Sequence, residues 1–286
     1  MTQITPISDA GKGIETLLPL SIAVIAVLSA ITIVHLLSVD ELLQGVYSWL
    51  LTQPLFHLEA FEVAFSSIFF FFFIGWWYIV DLMVPKLHQY RFNGLNRSSW
   101  KGRWWGVFRD EVLWYAGPWL LLAQIWPGRR EKIIAAAAST PTLILVVTQT
   151  LYSLAVYDVL FYVGHRLLHE YRPLYALHKK HHSMGANVTA TDAIRHDFID
   201  GTFDVMCSVL ALLVVGSHPL SRLSHNVVAI WLITEAHSGY ELPLSPSKLT
   251  GGLFISPKQH VAHHASGKGH YAKFFPLMDW AFGTQP

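Results

Sequence analysis

Hydrophobic and polar positions fall into long blocks along this chain rather than into short alternations. Thr16 to Val39 holds no charged residue, and its 24 positions at about 1.5 Å each reach about 36 Å as a helix, enough for a hydrocarbon core of about 30 Å. It is a first predicted span. A cleaved secretory signal is the alternative, but Asp9 and Glu15 precede the run and it is too long for the apolar core of a signal. Asp40 to Glu62 alternates apolar residues with polar ones and predicts an interfacial segment. Val63 to Val80 is a second uncharged run, with five consecutive phenylalanines and then Trp76, Trp77 and Tyr78, ring types that favour the headgroup layer. Ile133 to Tyr157 is a third run. A fourth, Val205 to Thr234, is broken only by Arg222, and its 30 residues predict a helical hairpin turning at Ser217-His218-Pro219. Glu111 to Trp126 contains Gly117-Pro118 and fits a short span, a re-entrant piece or an interfacial helix. The expected fold class is all-α, an integral membrane helical bundle of about four crossings or hairpins. Residues 1–130 are expected to supply N-terminal spans and a basic loop, and residues 131–286 a membrane and metal-binding unit.

Composition supports this reading. The chain is 52% hydrophobic and only 14% charged, with a mean hydropathy of +0.38, where soluble domains are roughly a quarter charged. With 20 Lys+Arg against 19 Asp+Glu it lacks the basic footprint of a nucleic-acid binder. Its single cysteine, Cys207, excludes an internal disulfide and a cysteine-ligated iron–sulfur cluster. Fifteen of the 20 basic residues lie in Lys86–Arg109, Arg166–Arg195 and Lys248–Lys273, and the positive-inside rule puts these segments together in the cytosol. Arg129, Arg130 and Lys132 do not fit that division neatly.

Histidine is the remaining anomaly. There are 16, of which 13 lie between His165 and His270. His165 and His169 stand four apart at the end of a predicted helix, on one face. His178, His181 and His182 repeat the i, i+3 and i+4 relations, and so do His260, His263 and His264. These eight imidazoles flank apolar segments on one predicted side of the membrane, where they can converge on two metal ions or on one site with spare coordination. His35, His57, His88, His218 and His225 read as isolated hydrogen-bonded or interfacial residues, and replacing His225 is expected to be nearly silent. Asp158, Tyr162, His165 and His169 keep to about one helical stripe. Asp158 and Tyr162 are therefore candidate catalytic-site residues, Asp158 as the carboxylate that accepts the second ring N–H of a ligand histidine. A zincin motif is missing, because Arg166 stands where the general-base glutamate would follow His165.

The three histidine groups, together with Asp158, Tyr162, Arg166, His237-Ser-Gly-Tyr-Glu-Leu-Pro243 and Asp279-Trp-Ala-Phe-Gly-Thr284, resemble the fatty acid hydroxylase/sterol desaturase superfamily, over roughly residues 141 to 284. The resemblance implies a membrane-embedded non-haem di-iron centre that uses O2 to hydroxylate or desaturate a C–H bond of a membrane lipid, a fatty acyl chain or a sterol. It adds His196 and His237 to the metal ligands. His-Pro often follows the second box in this family, and here His196-Asp197 stands there. His270-Tyr271-Ala272 replaces the usual Asn-Tyr-Gly, which leaves His270 as a ligand, an outer partner or a surface residue. A cavity lined by Phe161 and Trp231 is expected to take the substrate. Electrons are expected from a separate cytochrome b5, ferredoxin or rubredoxin with its reductase; the Lys86–Arg109 loop reads first as ordinary positive-inside topology and only second as a docking place. The implied location is the bacterial inner membrane or the endoplasmic reticulum. The competing readings are a zinc-dependent membrane hydrolase and a non-enzymatic metal transporter or sensor. Transport would put ionisable ligands inside the spans, whereas the histidines lie beyond them.

Overall fold

The computed structural model describes residues 28–29, 32, 35, 37–92, 103–125 and 127–285. Most of Thr16–Val39 lies outside them, as does part of the basic loop. Residues 37–51 are helical, so the first run continues past Val39 as a helix into the segment expected at the interface. There follow α1 (Phe61–Met83), α2 (Arg103–Asp110), a π-helical stretch (Glu111–Ala116), α3 (Gly117–Ile125), α4 (Arg129–Ala136), α5 (Leu143–Glu170) and α6 (Arg172–His178). After two 3-10 segments, His181–Asn187 and Ala190–Ile194, come α7 (Phe198–Val215), α8 (Pro219–His237), α9 (Pro246–Leu249), α10 (Pro257–Ser266) and α11 (Leu277–Phe282). Among the described residues there is no strand, only an isolated bridge between Arg91 and Tyr240.

Three of these helices, α1, α5 and α7, are long and apolar enough to cross a membrane. On α1 the residues Ile68, Phe72, Trp76 and Ile79 follow helical spacing and stay exposed, while Phe70, Ile74, Trp77 and Val80 are buried. An outward apolar stripe of this kind is costly in water and is the solvated face in lipid. The bundle is that of a membrane protein.

The predicted Ile133–Tyr157 span is divided. Pro141 and the extended Thr142 separate α4 from α5, and Thr142 Oγ1 caps the new helix by accepting the Leu145 N–H at 3.2 Å. Asp40 Oδ1 accepts the Leu143 N–H at 2.6 Å, tying this start to the helical segment 37–51. α5 then runs past Tyr157 to Glu170 and carries the first histidine pair. The hairpin turn stands where the sequence predicts it: Gly216 takes a left-handed φ of 64°, His218 Nδ1 accepts the Leu220 N–H, and Pro219 opens α8.

α1 and α8 run parallel. Arg222 in the first turn of α8 donates two hydrogen bonds, 2.7 and 2.6 Å, to Glu62 in the first turn of α1. At the other end Tyr240, just beyond α8, donates to Asp81 near the end of α1 at 2.8 Å. Arg129 also reaches Glu62, whereas Arg103 donates to Thr189 and Asp192 beside the histidine region. The continuous helical stretch 103–125 therefore joins the two ends of the bundle. It makes one wide turn ahead of Pro118, whose missing N–H cannot continue the regular ladder.

The isolated histidines behave largely as local structure. His57 and His88 donate to the carbonyls of Leu51 and Asp81, and His218 is the α8 cap. His225 departs from expectation: it is fully buried, and its two ring nitrogens bond Ser153 (2.8 Å) and Ser208 (3.1 Å). Replacing it by alanine is expected to cost about 2–4 kcal/mol, from the cavity and the lost hydrogen bonds, measurable by denaturation in detergent with metal content unchanged.

Candidate metal centre

Five elements deliver imidazoles to the end of the bundle where α8 terminates. The last turn of α5 brings His165 and His169 to one face. His178 ends α6, and His181 and His182 begin the following 3-10 turn, so this box is bent rather than carried by one helix. α8 ends on His237. α10 is set by a capping box of Ser256 and Gln259 and stopped by left-handed Gly267, which places His260, His263 and His264 on its two last turns.

The rings sort into two groups. Ligand nitrogens of His165, His169, His178, His182 and His263 lie within 4.8 Å of one another, and so do those of His181, His237, His260 and His264. Sequence neighbours part company: His181 and His264 join one group, His182 and His263 the other. The two groups are adjacent, with the His182 and His264 rings stacked at 4.6 Å.

Hydrogen bonding fixes several of the tautomers. His165 Nδ1 donates to Tyr271 O (2.7 Å), His263 Nδ1 to Gly269 O (2.7 Å), His237 Nδ1 to Ile233 O (2.8 Å) and His178 Nδ1 to Asp200 (2.9 Å). Each such ring is left with a bare Nε2 lone pair. Yet His165 Nε2 and His178 Nε2 face each other at 3.1 Å with no hydrogen to share. The Nε2 atoms of His237, His260 and His264 form a triangle with sides of 3.0, 3.1 and 3.2 Å, which three hydrogen bonds cannot satisfy because each nitrogen is either donor or acceptor. His263 Nε2 and His182 Nε2 are buried without any partner. Lone pairs converging in this way call for a cation. Nitrogens about 2.1 Å from a common ion and at right angles to one another stand about 3 Å apart, close to the spacings seen. The donor set is all imidazole, which suits iron, copper, nickel or zinc. Burial and the neighbouring rings hold His178, His181, His260, His263 and His264 well below the usual histidine range, and burial holds His182 at about 4, so the rings are neutral and able to bind metal.

His196 stands beside these groups. It stacks on His181 at 4.3 Å, its Nδ1 meets the Tyr115 hydroxyl at 2.5 Å, and its Nε2 lies 3.6 Å from Asp200, in a set with His178 and Asp200. His270 is in none of the three sets; its φ of 49° shapes the loop between Gly269 and Tyr271, whose carbonyls hold His263 and His165.

Asp158 and Tyr162 have other partners than those expected. Asp158 touches no histidine ring and accepts the backbone N–H groups of Lys273 and Phe274, each at 2.7 Å. Seven residues of helix, about 10 Å, separate it from His165. Tyr162 bonds Thr284 at 3.0 Å and accepts from Arg166 at 3.2 Å. Together with Asp279, which accepts the N–H groups of Tyr271 and Ala272, they pin the C-terminal segment whose carbonyls orient the rings. The carboxylate that does hold a ligand histidine is Asp200, on α7. Its signal was present in the sequence as Asp197, Asp200 and Asp204 at the start of an otherwise apolar helix, since ionisable residues placed there are costly without a partner.

Asp204 belongs to a connected polar chain. Lys273 Nζ bonds Asp204 and donates to the Tyr157 hydroxyl at 2.9 Å; Tyr157 and Tyr115 both donate to Asp204, at 2.6 and 3.1 Å. Through Tyr115 this chain reaches His196. Tyr115 and Asp204 also line a cavity between α1, the π stretch, α7 and α8. Phe161 and Trp231, expected to line it, instead pack on His165 and Phe73.

Comparison with known proteins agrees with this arrangement. Residues 150–284 match the family model described as fatty acid hydroxylase. Human cholesterol 25-hydroxylase is 34% identical over 149 residues, covering 50% of this chain and 53% of that protein. A cholesterol 25-hydroxylase-like protein of Danio rerio is 26% identical over 219 residues, covering 72% and 82%. The very-long-chain aldehyde decarbonylase GL1-11 of Oryza sativa subsp. indica is 31% identical over 162 residues, covering 56% and 60%. The chain thus spans about half the length of the human relative. No solved structure matches. Histidine boxes, helical architecture and relatives agree, and residues 150–284, a little under half of the chain, carry the likeness to the fatty acid hydroxylase/sterol desaturase superfamily.

Proposed function

We propose that this protein is an O2-dependent non-haem di-iron oxidoreductase that hydroxylates or desaturates a C–H bond of a membrane lipid, a sterol or a fatty acyl chain. The observation that carries the reading is the pair of adjacent, buried imidazole groups whose bare nitrogens face one another at 3.0–3.2 Å. One ion would be held by His165, His169, His178, His182 and His263, the other by His181, His237, His260 and His264. The bound irons would supply reduction of O2 and removal of hydrogen from an unactivated carbon.

The chain's own residues do the rest. Asp200 and the carbonyls of Gly269 and Tyr271 fix ring orientation and raise ligand basicity. The hydrogen-bonded chain from Lys273 through Asp204 and Tyr115 provides a route by which a proton reaches His196 beside the metal ligands. The cavity walls exclude water from the carbon to be attacked. The chain is multi-pass on this reading, with the histidine end in the cytosol according to the placement of basic residues. The electrons come from a separate cytochrome b5, ferredoxin or rubredoxin with its reductase. Purified protein is expected to hold about two irons per chain and to consume O2 when lipid and reductant are supplied; hydrolysis of a lipid by the zinc form without O2 would overturn the reading.

A further inference from the structure

The cavity is apolar along much of its wall, where Phe70, Ile194, Ile230 and Ile233 contribute, but it also carries unused polar groups. Ser66 Oγ and Asn226 Nδ2 are buried and meet no partner, in residues only 7% and 3% exposed. Each lies four residues beyond the Glu62–Arg222 ion pair on the parallel helices α1 and α8, so the two share one level. The next residue on α1, Ser67, donates to Glu111 Oε1 at 2.6 Å, and Glu111 lines the same cavity. An amide donor, a hydroxyl and a carboxylate acceptor are thus collected at one place in an apolar cavity.

An alcohol matches this set, since its O–H both donates and accepts. A bare hydrocarbon would leave Ser66 and Asn226 unpaired. From Asn226 to His237 there are eleven residues of helix, about 16 Å. The geometry points to a hydroxyl-binding subsite formed by Ser66, Glu111 and Asn226 for the head of a lipid alcohol, whose far end would extend toward the histidine end of the bundle. What happens at the far carbon rests on the oxygenase reading above; the recognition of the hydroxyl does not.

The test is equilibrium binding to the iron-loaded full chain in phosphatidylcholine nanodiscs, comparing cholesterol with cholest-5-ene and hexadecan-1-ol with hexadecane. At least one alcohol is expected to bind about tenfold or more tighter than its deoxy partner. In the Ser66→Ala/Asn226→Ala double variant the ratio should fall to within about twofold of unity while the deoxy partner binds as before, which also reports an intact fold. The nearly isosteric Glu111→Gln should lower the ratio as well. Equal binding of both partners by the unaltered protein, no saturable binding of either alcohol, or an unchanged ratio in the variants overturns the subsite. O2 uptake followed in parallel separates the two ideas: preference for the alcohol without lipid-dependent uptake overturns the oxygenase reading and leaves the subsite standing.

Discussion

Replacing His263 by alanine is expected to lower the iron content from about two to about one per chain and to reduce lipid-dependent O2 uptake more than about 100-fold, beyond the effect of losing an outer partner. His263 is completely buried, its Nδ1 is committed to Gly269 O, and its Nε2 has no protein partner. The side chain therefore has little to do in the fold except meet an ion. Helical content and membrane insertion should be unchanged, because the α10 caps lie at Ser256 and Gly267. His181→Ala should give the complementary result, removing a ligand of the other group. Iron by elemental analysis, circular dichroism and an oxygen electrode make the comparison, and full activity in both variants would refute the assignment.

The second large effect lies at the opposite end of the bundle. Glu62→Ala should destabilise the protein by about 3–5 kcal/mol, the usual consequence of stranding a buried charge. The Glu62 carboxylate is 4% exposed and serves both Arg222 and Arg129, whose side chains are 19% and 9% exposed. Three helices, α1, α4 and α8, meet through that one carboxylate. The triple variant Glu62→Leu/Arg129→Met/Arg222→Met should recover much of the loss, because apolar side chains of similar volume in place of all three charges remove the desolvation penalty along with the attraction. Thermal unfolding in detergent reads both, and a triple variant no better than the single one would show that the charged cluster does more than satisfy its own members.

Local spacing made the helices and most of the converging histidines legible. His165 and His169 at i, i+4 and the two H-x-x-H-H boxes state a shared face without any knowledge of the fold, and Ser217-His218-Pro219 states a turn. The partition of the rings was not legible. Whether His181 joins His182 or parts from it depends on where α6 ends and the 3-10 turn begins, which is settled by packing against α7 and α10. Asp158 misled for a related reason: seven residues return a side chain to the same stripe but carry it about 10 Å along the axis, out of reach of the ring. Asp200 could be marked as needing a partner but not paired, because His178 lies 22 residues away across a helix boundary. The role of Arg222 as the partner of Glu62 could not be seen either, since 160 residues separate them and no periodicity spans that gap.

The C-terminal clasp has a consequence for the order in which the protein can be made. His165 and His263 take their orientation from the carbonyls of Tyr271 and Gly269, and Asp279 holds the segment carrying Tyr271. On a ribosome adding about 5–20 residues per second, the stretch from residue 165 to residue 279 takes on the order of ten seconds to synthesise. For much of that interval the early histidines lack their orienting carbonyls, so on the proposed reading an ion held by the complete set would be loaded only after the C-terminal segment has been made.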